Sequence, residues 1–263
     1  MRLFFEICLK SFQRHLVYRA ATLAGLVTNL FFGMLRASVL VALYGSRTMV
    51  NGLSVQDAVA YAGLTQAIIG FISLFSWYEL SNSVYTGSVS MDLVKPLGYY
   101  QFWLAQDLGR ALVQLFLRGL PLMLIYGLVY NISLPSTLIQ WLALTATLIL
   151  AWMISFSWRF LLNLTSFWVV NATGILRLGF VISWFLSGFI MPLRYFPDWF
   201  VSLCNLTPFP HIINSVSEIF LGVVQGPDIV HVLILQLIWA IGLIILGHLV
   251  LRAGIRRLVI QGG

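Results

Sequence analysis

Residues 21–44 read ATLAGLVTNLFFGMLRASVLVALY and form an apolar run in which Arg36 is the one charged residue. An α-helix needs about 20 predominantly apolar residues to cross the roughly 30 Å hydrocarbon core of a bilayer. Because backbone polar groups inside lipid must be satisfied within the chain, such a run predicts a transmembrane helix. Five more runs of this character follow. The six predicted spans are residues 21–44, 58–82, 104–130, 137–168, 171–191 and 229–251.

The composition agrees with an integral membrane protein. Hydrophobic residues make up 60% of the 263 positions, and charged residues only 9%. A soluble domain is nearer 45–50% apolar and about 25% charged, so this chain could not cover a water-facing surface. We predict an all-α polytopic membrane protein, folded as one domain over residues 1–263.

The distribution of Lys and Arg predicts the orientation of the spans. Eleven of these residues lie near the span ends on one side and two, Arg47 and Arg194, on the other. Both termini and residues 83–103 are therefore expected to be cytoplasmic. The net charge of +7 could also indicate nucleic acid. The cations are scattered singly, however, so we expect membrane lipids and no nucleic acid as partners.

Residues 1–19 predict an amphipathic helix in the membrane interface. An alternative is a frayed extension of the first span. The apolar face contains Phe4, Phe5, Cys8, Leu9, Phe12 and Leu16, and the polar face contains Arg2, Glu6, Lys10, Gln13 and Arg14.

Residues 192–228 are apolar but cannot form one straight helix, because four prolines interrupt them. Two short helices that dip part-way into the outer leaflet would satisfy both properties. Irregular backbone at that depth is tolerated only against protein or a cavity. The alternative is an ordinary outer loop with an aromatic belt. The four prolines are Pro192, Pro197, Pro208 and Pro210.

No catalytic or metal-binding motif is present in the sequence. It contains no Gly-rich phosphate-binding loop, no His-Glu-x-x-His and no Gly-x-Ser-x-Gly. We therefore predict no catalytic residue, no metal ligand and no cofactor bound by this chain.

Polar residues within the spans are the remaining candidates. A charge near the bilayer centre costs on the order of 2.5–3.5 kcal/mol on insertion scales, so such residues should face protein or water. One interpretation is a substrate path, and the other is helix packing. Asp107 and Arg110 are spaced to pair on one helix face. The candidate path residues are Asn29, Arg36, Glu79, Gln114, Arg118 and Arg159.

Residues 85–103, YTGSVSMDLVKPLGYYQFW, form a polar segment between two apolar spans. Gly87 and Pro96 bracket a short stretch in which Asp92 and Lys95 suit a wet surface. The apolar residues Leu93, Val94 and Leu97 could insert into a partner's groove, where a few buried side chains usually carry most of the binding energy. The alternative is a plain solvated loop.

Two groups of motifs resemble a known family. The outer segment resembles the pattern of the type-2 permease superfamily, the membrane subunits of ABC exporters, and two further stretches resemble a bacterial branch of these permeases. The outer matches are Gly188, Pro192, Phe196, Pro197, Trp199 and Pro208. The other matches are Gly87, Asp92, Leu93, Pro96, Phe167, Trp168 and Gly174.

The resemblance implies a function. It implies a coupling helix at residues 83–103 that docks on a separate ATPase subunit, present in two copies, which holds ATP and Mg²⁺. It also implies a second, related but non-identical permease and a location in the bacterial inner membrane. The coupling residues would be Gly87, Asp92, Leu93, Val94, Lys95, Pro96 and Leu97.

The substrate class and the rival functions remain open on the sequence. The 9 Trp, 19 Phe and 10 Tyr residues favour a hydrophobic, amphipathic or cationic compound such as a drug or lipid. A self-sufficient secondary transporter or channel, a polytopic lipid-modifying enzyme and a structural scaffold are the alternatives.

Overall fold

A computed structural model describes residues 2–75, 77–130, 132, 134–169 and 171–257. Residues 1 and 258–263, which the predicted domain also includes, lie outside the described residues. Helices dominate, and a π-helical turn occupies Leu115–Gly119. The helices are α1 (Arg2–Val17), α2 (Arg19–Tyr44), α3 (Val55–Ile72), α4 (Glu79–Tyr85), α5 (Val89–Leu93), α6 (Tyr99–Gln114), α7 (Leu120–Tyr130), α8 (Leu138–Leu164), α9 (Thr173–Leu186), α10 (Asp198–Asn205), α11 (Asn214–Phe220) and α12 (Pro227–Ile255).

Within the described residues, five helical stretches are long and apolar enough to cross a membrane. The fifth predicted span, residues 171–191, is represented by α9, which has 14 residues. Such a helix is only about 21 Å long. The five stretches are Arg19–Tyr44, Val55–Ile72, Tyr99–Tyr130, Leu138–Phe167 and Pro227–Ile255.

The predicted second span, residues 58–82, has the wrong boundaries. Its helix α3 begins at Val55 under a capping box, in which Ser54 and Asp57 each accept from the other's backbone N–H at 3.1 and 2.9 Å. It ends at Ile72, because Ser73 adopts a left-handed conformation with φ 55°. The residues that sequence hydropathy assigned to its last turns instead form a break and then α4.

Helix α3 is the centre of the molecule. Nearly all of its residues from Ala58 to Ile72 are buried, and α2, α6, α7 and α8 pack around it. The ring of Tyr126 on α7 lies against Gly33 of α2 and Gly63 of α3, where a Cβ atom would overlap it. Small residues at these two positions therefore allow three helices to approach closely.

Helix α1 is separated from α2 by a break at Tyr18, as an independent N-terminal helix requires. It packs across α6, where its backbone at Cys8 contacts Gly109 and the Ser11 hydroxyl donates to the carbonyl of Gln106 at 2.6 Å. The opposite face of α1 is exposed. Helix α1 is thus fixed to the start of the third predicted span.

A short hairpin of β1 (Met49–Val50) and β2 (Leu53–Ser54) follows α2 and was not predicted from the sequence. Its turn residues Asn51 and Gly52 both have positive φ, as a tight hairpin turn demands. The Asn51 amide donates to the carbonyl of Arg194 at 2.6 Å. The hairpin therefore binds the beginning of the outer segment 192–228, which contains α10 and α11.

Candidate coupling surface and buried polar cluster

Residues 83–103 fold as the end of α4, the short helix α5 and the beginning of α6. Gly87 turns the chain between α4 and α5 with φ 74°. Asp92 accepts from the Ser83 hydroxyl at 2.7 Å and from the Lys95 ammonium at 2.6 Å. The Lys95 ammonium also lies 3.6 Å from the ring centroid of Phe102. Asp92 and Lys95 thus fix the internal geometry of the segment, although sequence reasoning assigned both to a partner-facing surface.

The apolar residues of this segment divide into two groups. Leu93 and Leu97 are half-buried against the aromatic core beneath them. Val94 is 82% exposed, and Tyr85 and Met91 are 70% and 66% exposed. We call Tyr85, Met91 and Val94 the apolar edge.

Tyr85 and Met91 were missed from the sequence. The spacing of Met91 and Val94 by three residues, which places them on one helix face, was the available signal.

A buried ion cluster is centred on Asp107 of α6. This side chain is fully buried, and its two oxygens accept from Arg110 at 2.8 Å, Arg159 at 3.1 and 2.9 Å and the Trp152 indole at 2.8 Å. The pairing of Asp107 with Arg110 confirms the expected helix-face pair. We call Asp107, Arg110, Trp152 and Arg159 the Asp107 cluster, because one carboxylate joins α6 to α8.

Side chains in the same region donate to the backbone carbonyls at the end of α3. A helix leaves its last four carbonyls without intrahelical partners. Arg110 donates to the carbonyls of Gly70 and Phe71 at 2.7 and 3.1 Å, and Ser155 donates to that of Ile72 at 2.7 Å. Beyond the helix end, Trp184 donates to the carbonyl of Leu74 at 3.0 Å, and Asn163 donates to that of Trp77 at 2.9 Å. Side chains from three other helices therefore stabilise the break in the second predicted span.

Three candidate path residues contact neighbouring helices within the chain. The Asn29 amide donates to the carbonyl of Gln66 at 3.2 Å. Arg36 donates to the Thr65 hydroxyl at 3.3 Å, and its guanidinium lies 3.9 Å from the ring centroid of Phe189. The third, Arg118, donates to the carbonyls of Ala21 and Thr22 at 2.8 and 3.1 Å.

The other three candidates occupy the region around the end of α3. Arg159 is 1% exposed and belongs to the Asp107 cluster. Glu79 is the first residue of α4 and is exposed, so its expected place at the end of the second span is wrong. The buried side-chain oxygen of Gln114 has no hydrogen-bond donor in the described part of the chain. The six candidates therefore do not form one cluster.

The outer-segment residues hold the turns of residues 192–208. Pro192 and Pro208 are buried, and Pro197 directly precedes α10. The ring of Phe196 packs against Phe200 with centroids 4.7 Å apart, while Trp199 is 69% exposed. The segment is also held internally by an Arg194–Glu218 ion pair at 3.2 Å, and it is tied to the end of α2 by a Tyr44–Tyr195 hydroxyl contact at 2.6 Å.

A comparison with protein families identifies the family of this chain. The model of a family described as ABC-2 family transporter protein matches residues 30–262. The chain belongs to the ABC-2 family of transporter proteins. No curated protein and no solved structure matches it.

The ABC-2 permease is thus the multi-pass membrane subunit of an ABC transporter, and it is not itself the ATPase. Membership of the family implies association with an ABC ATPase. In the described residues, no three His, Cys, Asp or Glu side chains come together as a metal site would require.

Proposed function

We propose that this ABC-2 permease is the membrane subunit of an ATP-driven exporter and that residues 83–103 dock on its ATPase. The apolar edge carries the proposal. Tyr85, Met91 and Val94 are all exposed and lie within ten residues of one another. Clustered exposed apolar side chains mark protein–protein contact sites.

The internal contacts of the segment suit it to transmit displacement. Asp92 joins Ser83 to Lys95, and Leu93 and Leu97 pack on the core. The segment continues directly into α6, which carries the Asp107 cluster and through it contacts α8 and the end of α3. A push on the apolar edge therefore moves packed helices rather than a loose loop.

The mechanism is a ligand-biased conformational change. Two ATPase copies bind ATP and Mg²⁺ and close, the coupling segments follow, and two permeases rearrange around a shared path. This chain holds no cofactor in that scheme. The second permease is a related, non-identical chain, and the substrate is a hydrophobic, amphipathic or cationic compound that moves outward.

The proposed topology has six crossings, with both termini and residues 83–103 on the cytoplasmic side of the inner membrane. The positive-inside asymmetry of the sequence supports this orientation. Helix α1 lies in the interface, since its apolar residues Phe5 and Leu9 are 64% and 54% exposed. In the fifth crossing, α9 spans the inner part of the bilayer and the chain from Ser187 completes it.

The hydrogen bonds of the outer segment support a re-entrant path. The Gln236 amide donates to the carbonyl of His211 at 2.8 Å. Gln236 is the tenth residue of α12, so the contact lies about 13 Å along that helix from its start. The Ser187 carbonyl accepts from the backbone of Asn214 at 3.1 Å, and Gln140 donates to the carbonyl of Ile219 at 2.9 Å. Irregular backbone is tolerated in a membrane when protein satisfies its polar groups in this way.

The orientation can be tested with a cysteine at Val94. The native thiols, Cys8 and Cys204, are both buried and give little background labelling. Val94→Cys should resist a membrane-impermeant maleimide in intact cells and react in inverted vesicles, whereas Met49→Cys on the hairpin should do the reverse. Labelling of Val94→Cys in intact cells would place the coupling segment outside and end the proposal.

Docking can be tested with acidic substitutions on the apolar edge. Val94→Asp and Met91→Asp should each weaken co-purification of the ATPase by about 30-fold, the usual loss at a binding hot spot. Vanadate-sensitive transport should fall with them. Met49→Asp, an equally exposed apolar position on the opposite side, is the control. Unchanged docking and transport in both edge variants would refute the assignment.

A further inference from the structure

A second site lies beside the Asp107 cluster, on the side of α3 that faces the start of α2. A cavity of about 200 Å³ separates the end of α3 from α6 and the π-helical turn. Its polar lining includes Arg110, Gln114 and Arg118, and Leu74 and Phe75 supply an apolar wall. The cavity therefore combines cationic and apolar surfaces, as an amphiphile requires.

The arginines in this region outnumber the carboxylates that they contact. Arg110 and Arg159 share Asp107, while no carboxylate among the described residues lies within ion-pair distance of Arg118. Arg118 donates through Nε and Nη2 to backbone carbonyls, which leaves Nη1 without an acceptor in the described part of the chain. A cation in a membrane helix is costly unless it meets a counter-charge or water. An anion in the cavity would supply that charge.

The local backbone is built to present Arg118. It lies in the π-helical turn Leu115–Gly119, and such turns often occur at functional sites. Its guanidinium covers Gly25 of α2, where any Cβ atom would overlap it. The glycine and the irregular turn together hold the arginine at the mouth of the cavity.

A third observation specifies the ligand further. The buried side-chain oxygen of Gln114, which lines the cavity, has no donor among the described residues. An unsatisfied buried acceptor is unfavourable, so a ligand that carries a hydroxyl would be stabilised there. A simple anion would leave this oxygen unsatisfied.

We propose that this cavity binds the phosphate of an anionic, hydroxyl-bearing headgroup, with Arg118 and Arg110 on the phosphate oxygens and Gln114 accepting from the hydroxyl. The contact of Arg118 with Thr22, the fourth residue of α2, lies about 5 Å from the start of that helix. With the proposed orientation this is the level of the inner-leaflet headgroups. Basic pockets between membrane helices on that side bind such lipids.

The test uses the purified full-length chain in a zwitterionic detergent, without the ATPase. Its melting temperature and its native mass spectrum are measured with added phosphatidylglycerol, phosphatidylcholine of the same acyl chains, or inorganic phosphate. Wild type should be stabilised by phosphatidylglycerol beyond phosphatidylcholine and should retain phosphatidylglycerol in the spectrum. Arg118→Gln should bind it at least about ten-fold more weakly, since a charged hydrogen bond is lost.

Two further variants separate the site from charge and folding effects. Arg177→Gln removes an exposed arginine elsewhere and should bind like wild type. Gln114→Leu leaves the hydrogen bonds from Arg118 to the α2 carbonyls intact. Weaker phosphatidylglycerol binding by this variant therefore tests the site even where Arg118→Gln does not fold. If inorganic phosphate raises the melting temperature as much as phosphatidylglycerol does, and the variants lose this effect, the phosphate site is supported but its ligand comes from solution. The proposal is overturned if the two lipids affect wild type equally and inorganic phosphate has no effect. It is also overturned if Arg118→Gln and Gln114→Leu bind phosphatidylglycerol as wild type does.

Discussion

Asp107→Ala should destabilise this protein more than almost any other single substitution. The carboxylate is 2% exposed and accepts four hydrogen bonds, from Arg110, Arg159 and Trp152. Its removal leaves Arg159, itself 1% exposed, without its ion-pair partner. Removing one partner of a buried ion pair costs about 3–5 kcal/mol, and here the upper end applies because two guanidiniums lose their carboxylate.

The size of this loss makes it measurable. A folded protein is stable by only about 5–15 kcal/mol, so roughly a third or more of the total is at stake. At about 2–4 °C per kcal/mol for a chain of this size, the melting temperature should fall by about 10–20 °C. Thermal unfolding in detergent, followed by the fluorescence of the 9 tryptophans, gives this value.

Two controls isolate the buried charge. Asp198→Asn removes an exposed carboxylate in the first turn of α10 and should cost less than about 1 kcal/mol. The double variant Asp107→Leu with Arg159→Met replaces one buried pair with apolar groups but leaves Arg110 without its carboxylate, so it should recover the part of the lost stability that is due to Arg159. A melting temperature for Asp107→Ala within about 2 °C of wild type would refute the reasoning.

Two further predictions follow from packing and burial. Gly63→Ala should lower the free energy of unfolding by about 1–3 kcal/mol, because its methyl group would overlap the Tyr126 ring. Gly127→Ala, with open space at its Cβ position, should be neutral or stabilising. Equal melting temperatures for the two variants would contradict the packing. Burial raises the pKa of the Cys8 and Cys204 thiols, and the thiolate is the reactive form. Both should therefore react with iodoacetamide at least about ten-fold more slowly in the folded protein than in SDS, and rapid labelling of native Cys204 would show that the outer segment opens.

Residues 83–103 show how far sequence reasoning reached at the candidate site. The polar residues and the turn at Gly87 are visible in the sequence, and the structure has that turn at φ 74°. Which residues face outward does not follow. Leu93 and Val94 are neighbours with similar hydropathy, yet one packs on the core and the other is 82% exposed. That difference depends on the direction in which α5 presents its faces.

The buried polar residues were found as types, but only the local Asp107–Arg110 pair was predicted as partners. Arg159 and Asp107 are 52 positions apart, so no local spacing could pair them. Their pairing required α6 and α8 to pack side by side. The break after Ile72 has the same origin, because carbonyls that lipid would leave unsatisfied accept from Arg110 and Ser155 instead.

The sequence by itself determines that this chain is an all-helical membrane protein. Hydropathy and length are properties of each segment alone, and a helix satisfies its own backbone polar groups in lipid whichever elements surround it. Only the tertiary structure decides where α3 stops, which polar side chains satisfy its end and which apolar residues of the segment 83–103 stay exposed. Those outcomes depend on groups far apart in the chain, since a buried charge or carbonyl is stable only beside a partner that folding brings to it.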